Sequence, residues 1–382
     1  MLYYEHEGGK PVSLLELFFD LIFVYAISKL TGILEHQATH SISLQSIWLY
    51  ILAALVVLQV WLYQTNYNNR FTIGRWYENL VMIINMAAAL FLSNVLGEFT
   101  SFTIMEFDIA MIISFCTIAI LYRIIYISNK KGAEESKSFS NMLLAFILLY
   151  LIAILIILLP VSDTPSYFIT GITVISGAFL PAFLRRKDNA FDTRLVDFHH
   201  LTERFELLTI VTFGEMIVSL GTYFLPGEVD YVSILAFVIV LLFFGCYLIH
   251  NHYMLNRTMQ TRGLVLMFSH YGIVISLNII TVAQTLVRKD EIDSTPLTVM
   301  MLIGTLMFMI CLFANSIYYH RKIWFLKDKI IILAIIIIGS LVILFIRNGI
   351  GCLIGMLIVS GGIFAFLFYM TTKINVKCRC VE

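Results

Sequence analysis

Long apolar stretches separated by short polar clusters run from one end of the chain to the other; the clearest are 109–127, 142–159, 232–249 and 330–346. A helix needs about 20 apolar residues to cross the hydrocarbon core of a bilayer. The pattern predicts twelve such helices. Six lie in the first half, at 13–34, 44–66, 77–97, 105–127, 139–159 and 166–184. Six lie in the second, at 201–225, 231–253, 263–286, 297–318, 329–346 and 350–371. Pro160 and Pro226 follow two of these ends, where a residue that cannot continue a helix belongs. The expected fold class is all-α, a polytopic membrane protein.

The polar positions repeat. Glu16, Asn69, Arg70 and Arg75 recur as Glu203, Asn256, Arg257 and Arg262, each at an offset of 187. This register predicts two six-helix repeats, 1–184 and 201–382, joined by a linker at 185–200 that carries Arg-Arg-Lys-Asp-Asn. Six spans is an even number, so both copies enter the bilayer with the same orientation. The repeats are expected to be parallel, related by an axis along the membrane normal.

Composition agrees with this picture. Of 382 residues, 60% are hydrophobic and only 13% charged, against about 25% charged in soluble domains. Net charge is zero, which gives no reason to expect a nucleic-acid partner; the lipid bilayer is the expected one. With both termini placed inside, 19 Lys and Arg fall in inside segments and 3 in outside loops. That bias predicts a bacterial cytoplasmic-membrane protein with both ends cytoplasmic. The start, Met-Leu-Tyr-Tyr-Glu-His-Glu, has no basic region or small-residue cleavage site, so no cleavable signal is expected. Four cysteines, Cys116, Cys246, Cys311 and Cys352, sit in apolar segments and read as small core residues. Cys378 and Cys380 form a Cys-x-Cys tail with too few ligands for a metal site. Nothing in the sequence sets an oligomeric state or calls for a cofactor.

Ionisable groups inside a bilayer cost about 2.5–3.5 kcal/mol each at a helix centre on insertion scales, and usually face the bundle interior. Glu16 and Asp20 are four apart, on one face of the first span. Arg70 and Arg75 flank the following loop on the same side. Two readings stay open: a clamp tying spans 1, 2 and 3 together, or a direct part in ion or substrate handling. The second copy offers Glu203, Arg204 and Glu206, with Asn256, Arg257 and Arg262. Glu215, twelve positions past Glu203, is expected near the midplane beside Gly214, where a glycine permits close helix approach. It is either a proton- or cation-binding carboxyl or the partner of Lys29, which falls at nearly the same depth in the other copy. His270, with Asn278 and Gln284 beyond it, is either a satisfied core histidine or a relay with Glu215. His250 and His252 read as interfacial. Asp197, His199, His200 and Glu203 have helical ligand spacing, but charged helix starts share it, and no metal is assigned. Walker, dinucleotide, Gly-x-Ser-x-Gly and His-Glu-x-x-His motifs are absent, so an enzyme is not expected.

Ser13–Ile27 (SLLELFFDLIFVYAI), Tyr67–Phe71 (YNNRF) and His200–Leu220 (HLTERFELLTIVTFGEMIVSL) resemble the bacterial low temperature requirement protein A family over essentially the whole chain. Glu16, Asp20, Arg70, His200, Glu203, Arg204, Gly214 and Glu215 match that family's pattern. Lys29 and Glu206 depart from it, standing where a neutral polar residue and a glycine are usual. The resemblance implies a multi-pass membrane protein tied to growth in the cold; it supplies no molecular activity. The Phe-Phe-Asp start is also similar, over a short stretch, to a lysosomal and bacterial potassium-channel family with a Phe-Ser-Asp motif.

Three functions follow as expectations. The first is a secondary transporter coupled to protons or inorganic cations and moving a small solute, with Glu215 as coupling group. The second is a cation channel. The third is a non-transporting membrane sensor or structural protein.

Overall fold

Hydrophobic length dictates the architecture. The computed structural model describes residues 9–38, 44–96, 101–129, 131–159, 162, 164–183, 193–289, 294–320 and 326–379. Pro160, the run Arg185–Asn189 and Cys380 lie outside them. Among the described residues there are twelve α-helices: α1 (Leu14–Ala38), α2 (Leu44–Phe71), α3 (Trp76–Val95), α4 (Ser101–Ile127), α5 (Ala133–Leu158) and α6 (Thr164–Phe183). Then come α7 (Phe198–Ser219), α8 (Tyr231–Ile249), α9 (Leu264–Lys289), α10 (Ser294–Ala314), α11 (Leu326–Ile346) and α12 (Gly349–Arg379). Among the described residues the only extended pairing is an isolated bridge, Leu255 with Tyr319.

Among the described residues, eleven helices are long and apolar enough to cross a membrane. The helices turn apolar side chains outward, as α11 does with Ile330, Leu333, Ile337, Leu341 and Phe345. That is the surface a bilayer solvates. Polar side chains are instead buried. The protein is an integral, multi-pass membrane protein.

Local chemistry moves some helix ends from their expected places. Apolar content alone starts the fifth span near 139, but α5 begins at Ala133 after Gly132, which holds a left-handed backbone (φ +85). The two polar turns this adds are buried through Glu135, Ser136 and Ser140. Helix α8 ends in a π-turn, His250–Met254. His250 is fully buried against Tyr319 and its neighbour His252 is exposed, so the two do not form an interfacial pair.

The chain divides into two compact units. Unit 1 holds Met1–Ile33, Gln45–Leu208 and Gln260–Leu264; unit 2 holds Leu34–Leu44, Thr209–Met259 and Val265–Glu382. One boundary between the units falls within α7, after Leu208. In unit 2, α11 and α12 cross at paired glycines. A Cβ on Gly339 would lie 2.8 Å from the Gly355 carbonyl oxygen, and one on Gly355 2.8 Å from that of Gly339. Such backbone proximity is how helices associate without a hydrophobic drive. Gly355→Ile should therefore lower the thermal unfolding temperature in detergent, at a cost of about 1–3 kcal/mol for overpacking. Gly214→Ala is the control: a Cβ there meets nothing within 4 Å. The close approach expected at Gly214 is absent, because that position faces outward.

Candidate functional site

Three helix starts in unit 1 are capped by acids. At α1, Ser13 and Glu16 close a reciprocal cap: Ser13 N donates to Glu16 Oε2 at 2.9 Å, and Glu16 N to Ser13 Oγ at 3.3 Å. At α3, Glu78 Oε2 accepts from Ile73 N and Arg75 N at 3.2 and 2.9 Å, while Tyr67 donates to Oε1 at 3.3 Å. At α7, Asp197 accepts from His200 N at 3.0 Å and from Lys10 N at 2.8 Å. Negative side chains at helix N-termini also complement the helix dipole.

The centre of this arrangement is Arg204, fully buried on α7. Its Nη1 donates to Glu16 Oε1 at 3.0 Å and its Nη2 to Asp20 Oδ1 at 2.6 Å. Trp61 Nε1 donates to the same Asp20 oxygen at 2.7 Å, and the guanidinium lies 5.5 Å from the Trp61 ring. Of the four carboxylate oxygens, three are occupied; Asp20 Oδ2 has no hydrogen-bond partner. Sequence placed two acids and two arginines together around spans 1, 2 and 3. The geometry instead joins both acids to Arg204. Arg70 turns away to a buried ion pair with Glu135 of α5, and Arg75 bonds to Tyr77.

His200 is the fourth member, with Nε2 3.4 Å from Glu16 Oε1. Asn69 fixes its tautomer. The Asn69 Oδ1 accepts from Asp197 N at 3.2 Å, so its Nδ2 is the donor to Asp197 O at 2.7 Å and to His200 Nδ1 at 3.0 Å. His200 Nδ1 is thus an acceptor, the ring is neutral, and its proton sits on Nε2 facing Glu16. The group then holds two carboxylates against one guanidinium. Beyond it a neutral ladder runs from Asn68 to Gln64, Asn85 and Thr117, with links of 2.9, 2.9 and 3.0 Å. Lys10 Nζ closes the outer edge on the carbonyls of Asn68 and Thr72. Burial holds the Lys10 ammonium below its ordinary value, although Glu16, Glu78 and Asp197 pull the other way.

The remaining sequence candidates are dispersed. Asp197, His199, His200 and Glu203 do not converge: His199 faces Glu203 at 3.7 Å, while His200 faces Glu16. Glu206 and Arg262 are half-buried and both are engaged. In unit 2, Asn256 Oδ1 caps its own turn at Thr258, and Arg257 reaches the Asn251 carbonyl at 3.4 Å. Lys29 is exposed, with its ammonium 5.2 Å from the Tyr25 ring, as a charge snorkelling along a helix face does. Glu215 is buried and engaged, 17 residues from the start of a 26-residue span, Phe198–Tyr223.

His270 is a satisfied core histidine. Its Nδ1 donates to the Leu266 carbonyl at 2.7 Å, so Nε2 accepts from Tyr247 at 3.0 Å. Asn278 is fully buried and neither end of its amide has a partner among the described residues. Asp108 of α4, which sequence reasoning passed over, is also fully buried, with Thr170 as its hydrogen-bond partner. An acid inside a predicted span, costly to bury, was the available signal.

The comparison with curated proteins gives no match. The family model described as bacterial low temperature requirement A protein (LtrA) matches residues 11–363. That stretch includes all twelve helix starts and every member of the Arg204 group, and the chain belongs to the LtrA family.

Proposed function

We propose that the protein is a proton- or cation-coupled secondary transporter of the bacterial cytoplasmic membrane, built from two parallel six-helix repeats with both termini cytoplasmic. One observation carries this reading: a buried group of two carboxylates, one guanidinium and a neutral imidazole has an acid oxygen to spare. An uncompensated charge at such a place is costly. A proton on Asp20 Oδ2 removes it; loss of that proton leaves a negative charge that must be met by a cation or by rearrangement. A group whose charge changes with occupancy is what biases two conformations.

The unpaired Asp20 oxygen and the unpaired Asn278 amide favour transport over a non-transporting role. Sequence put the coupling at Glu215; Asp20 is the better supported of the two because it retains an unoccupied oxygen, while Glu215 is engaged.

The test is reconstitution in proteoliposomes with a panel of ions and metabolites at varied pH. A transporter gives saturable uptake driven by the proton gradient; a channel gives single-channel currents; a sensor gives neither. Glu215→Gln divides the roles. With Asp20 as coupling group, this variant lowers the uptake rate but leaves its dependence on the proton gradient. Loss of that dependence, with Asp20→Asn behaving as wild type, would assign the coupling to Glu215.

A further inference from the structure

We propose that Asp108 is a second proton-binding carboxyl, which exchanges its proton through a cavity at the end of unit 1 where α2, α4 and α6 begin. The assignment does not depend on the transport reading. Asp108 is fully buried on α4, and both of its oxygens lie near one hydroxyl, Thr170 Oγ1 of α6, at 2.9 and 3.2 Å. A hydroxyl has one hydrogen and serves one oxygen at a time. No Lys, Arg or His among the described residues pairs with it; Tyr150 of α5 interacts with it electrostatically, and Glu106 stands two residues before it on α4.

The Tyr150 hydroxyl interacts electrostatically with Asp108 and meets the Gln59 side chain of α2. Ser166, one turn before Thr170 on α6, is buried with no hydrogen-bond partner. The element α3 adds no charge, contributing Val95 and Leu96 to the cavity wall. An ionised carboxylate in this setting would be buried with no opposite charge, a larger cost than any neutral hydrogen bond offsets. The acid form removes that cost. Its hydroxyl then donates to Thr170 Oγ1.

Thr170 is the connection outward. It lines a cavity of about 270 Å³ whose wall is otherwise mostly apolar, from Leu49, Leu52, Val56, Phe107 and Val174, with exposed Trp48 and Tyr167 also on it. The Asp108 carboxyl gives its proton to Thr170 Oγ1 as the Thr170 hydroxyl gives its own proton to water in the cavity, forming hydronium and leaving an Asp108 carboxylate beside a neutral Thr170. The return step reverses both transfers.

Infrared difference spectroscopy of the full chain in lipid vesicles, between neutral and alkaline pH, reads this directly. The wild type should show a carboxylic-acid C=O band at neutral pH that survives in Asp20→Asn and is lost in Asp108→Asn. Thr170→Val should move that band to higher frequency, since the hydroxyl partner is gone. An unchanged band in Asp108→Asn overturns the proposal. So does a band that fails to move in Thr170→Val, which decides the matter if Asp108→Asn does not fold. A band absent from the wild type in sodium or potassium buffer but present without them also overturns it, and assigns an alkali cation to Asp108 instead.

Discussion

Arg204→Gln is expected to be the most destabilising single change in the charged group. The wild-type guanidinium serves two carboxylates through separate nitrogens, at 3.0 and 2.6 Å, and all three side chains are almost completely buried. Removing one partner of a buried ion pair costs about 3–5 kcal/mol, because the other charge is left uncompensated. Here two are left. Arg204→Lys should recover little, since one ammonium cannot present the two-nitrogen fork that spans Glu16 and Asp20. Pairing Arg204→Gln with Asp20→Asn should restore part of the loss by removing one stranded charge. Arg75→Gln is the comparator: Arg75 is only half-buried and bonds to Tyr77, so it should stay within about 0.5 kcal/mol of wild type. The monodisperse fraction in detergent and the unfolding temperature read all four. Wild-type stability in Arg204→Gln would remove the group from the centre of the fold.

Asp20→Asn is expected to behave in the opposite way: the fold survives and function is lost. The Asn oxygen can accept from both Arg204 Nη2 and Trp61 Nε1, which are the bonds Asp20 Oδ1 makes. The amide nitrogen takes the place of Oδ2, which had no partner. The variant carries no charge to titrate. The group then balances one carboxylate, Glu16, against one guanidinium in every state. Thermal stability at neutral pH should equal or exceed wild type, and uptake should no longer respond to the proton gradient. Glu16→Gln differs, because Glu16 Oε2 accepts from Ser13 N. An amide there sets donor against donor, at a cost of about 1–3 kcal/mol for the orphaned group.

Hydropathy made the helices legible because their length is set by the bilayer and most of their outward faces are apolar. It was weakest where a helix is polar and still buried. The first turns of α5 read as loop because Glu134, Glu135, Ser136 and Ser138 precede the apolar run, yet Glu135 is buried there by Arg70. The members of the charged group could be read off, since Glu16, Asp20, His200 and Arg204 are too costly in a span to be incidental. Their pairing could not. The 187-residue offset draws Arg70 toward Glu16, but Arg70 instead pairs with Glu135 of α5. Asn69 caps α7, while its counterpart Asn256 caps only a turn. Asp108 was passed over although a carboxyl inside a span is costly.

The central claim is that one exchangeable proton on Asp20 is tied to solute movement. The direct measurement compares wild-type and Asp20→Asn proteoliposomes, both with an imposed proton gradient, across a panel of inorganic ions and small metabolites. The account predicts that wild type accumulates a solute above its outside concentration and loses that accumulation when a protonophore is added. Asp20→Asn should bring the same solute to equilibrium at most. Equal, protonophore-sensitive accumulation by both, or no accumulation of any solute by wild type, would contradict it.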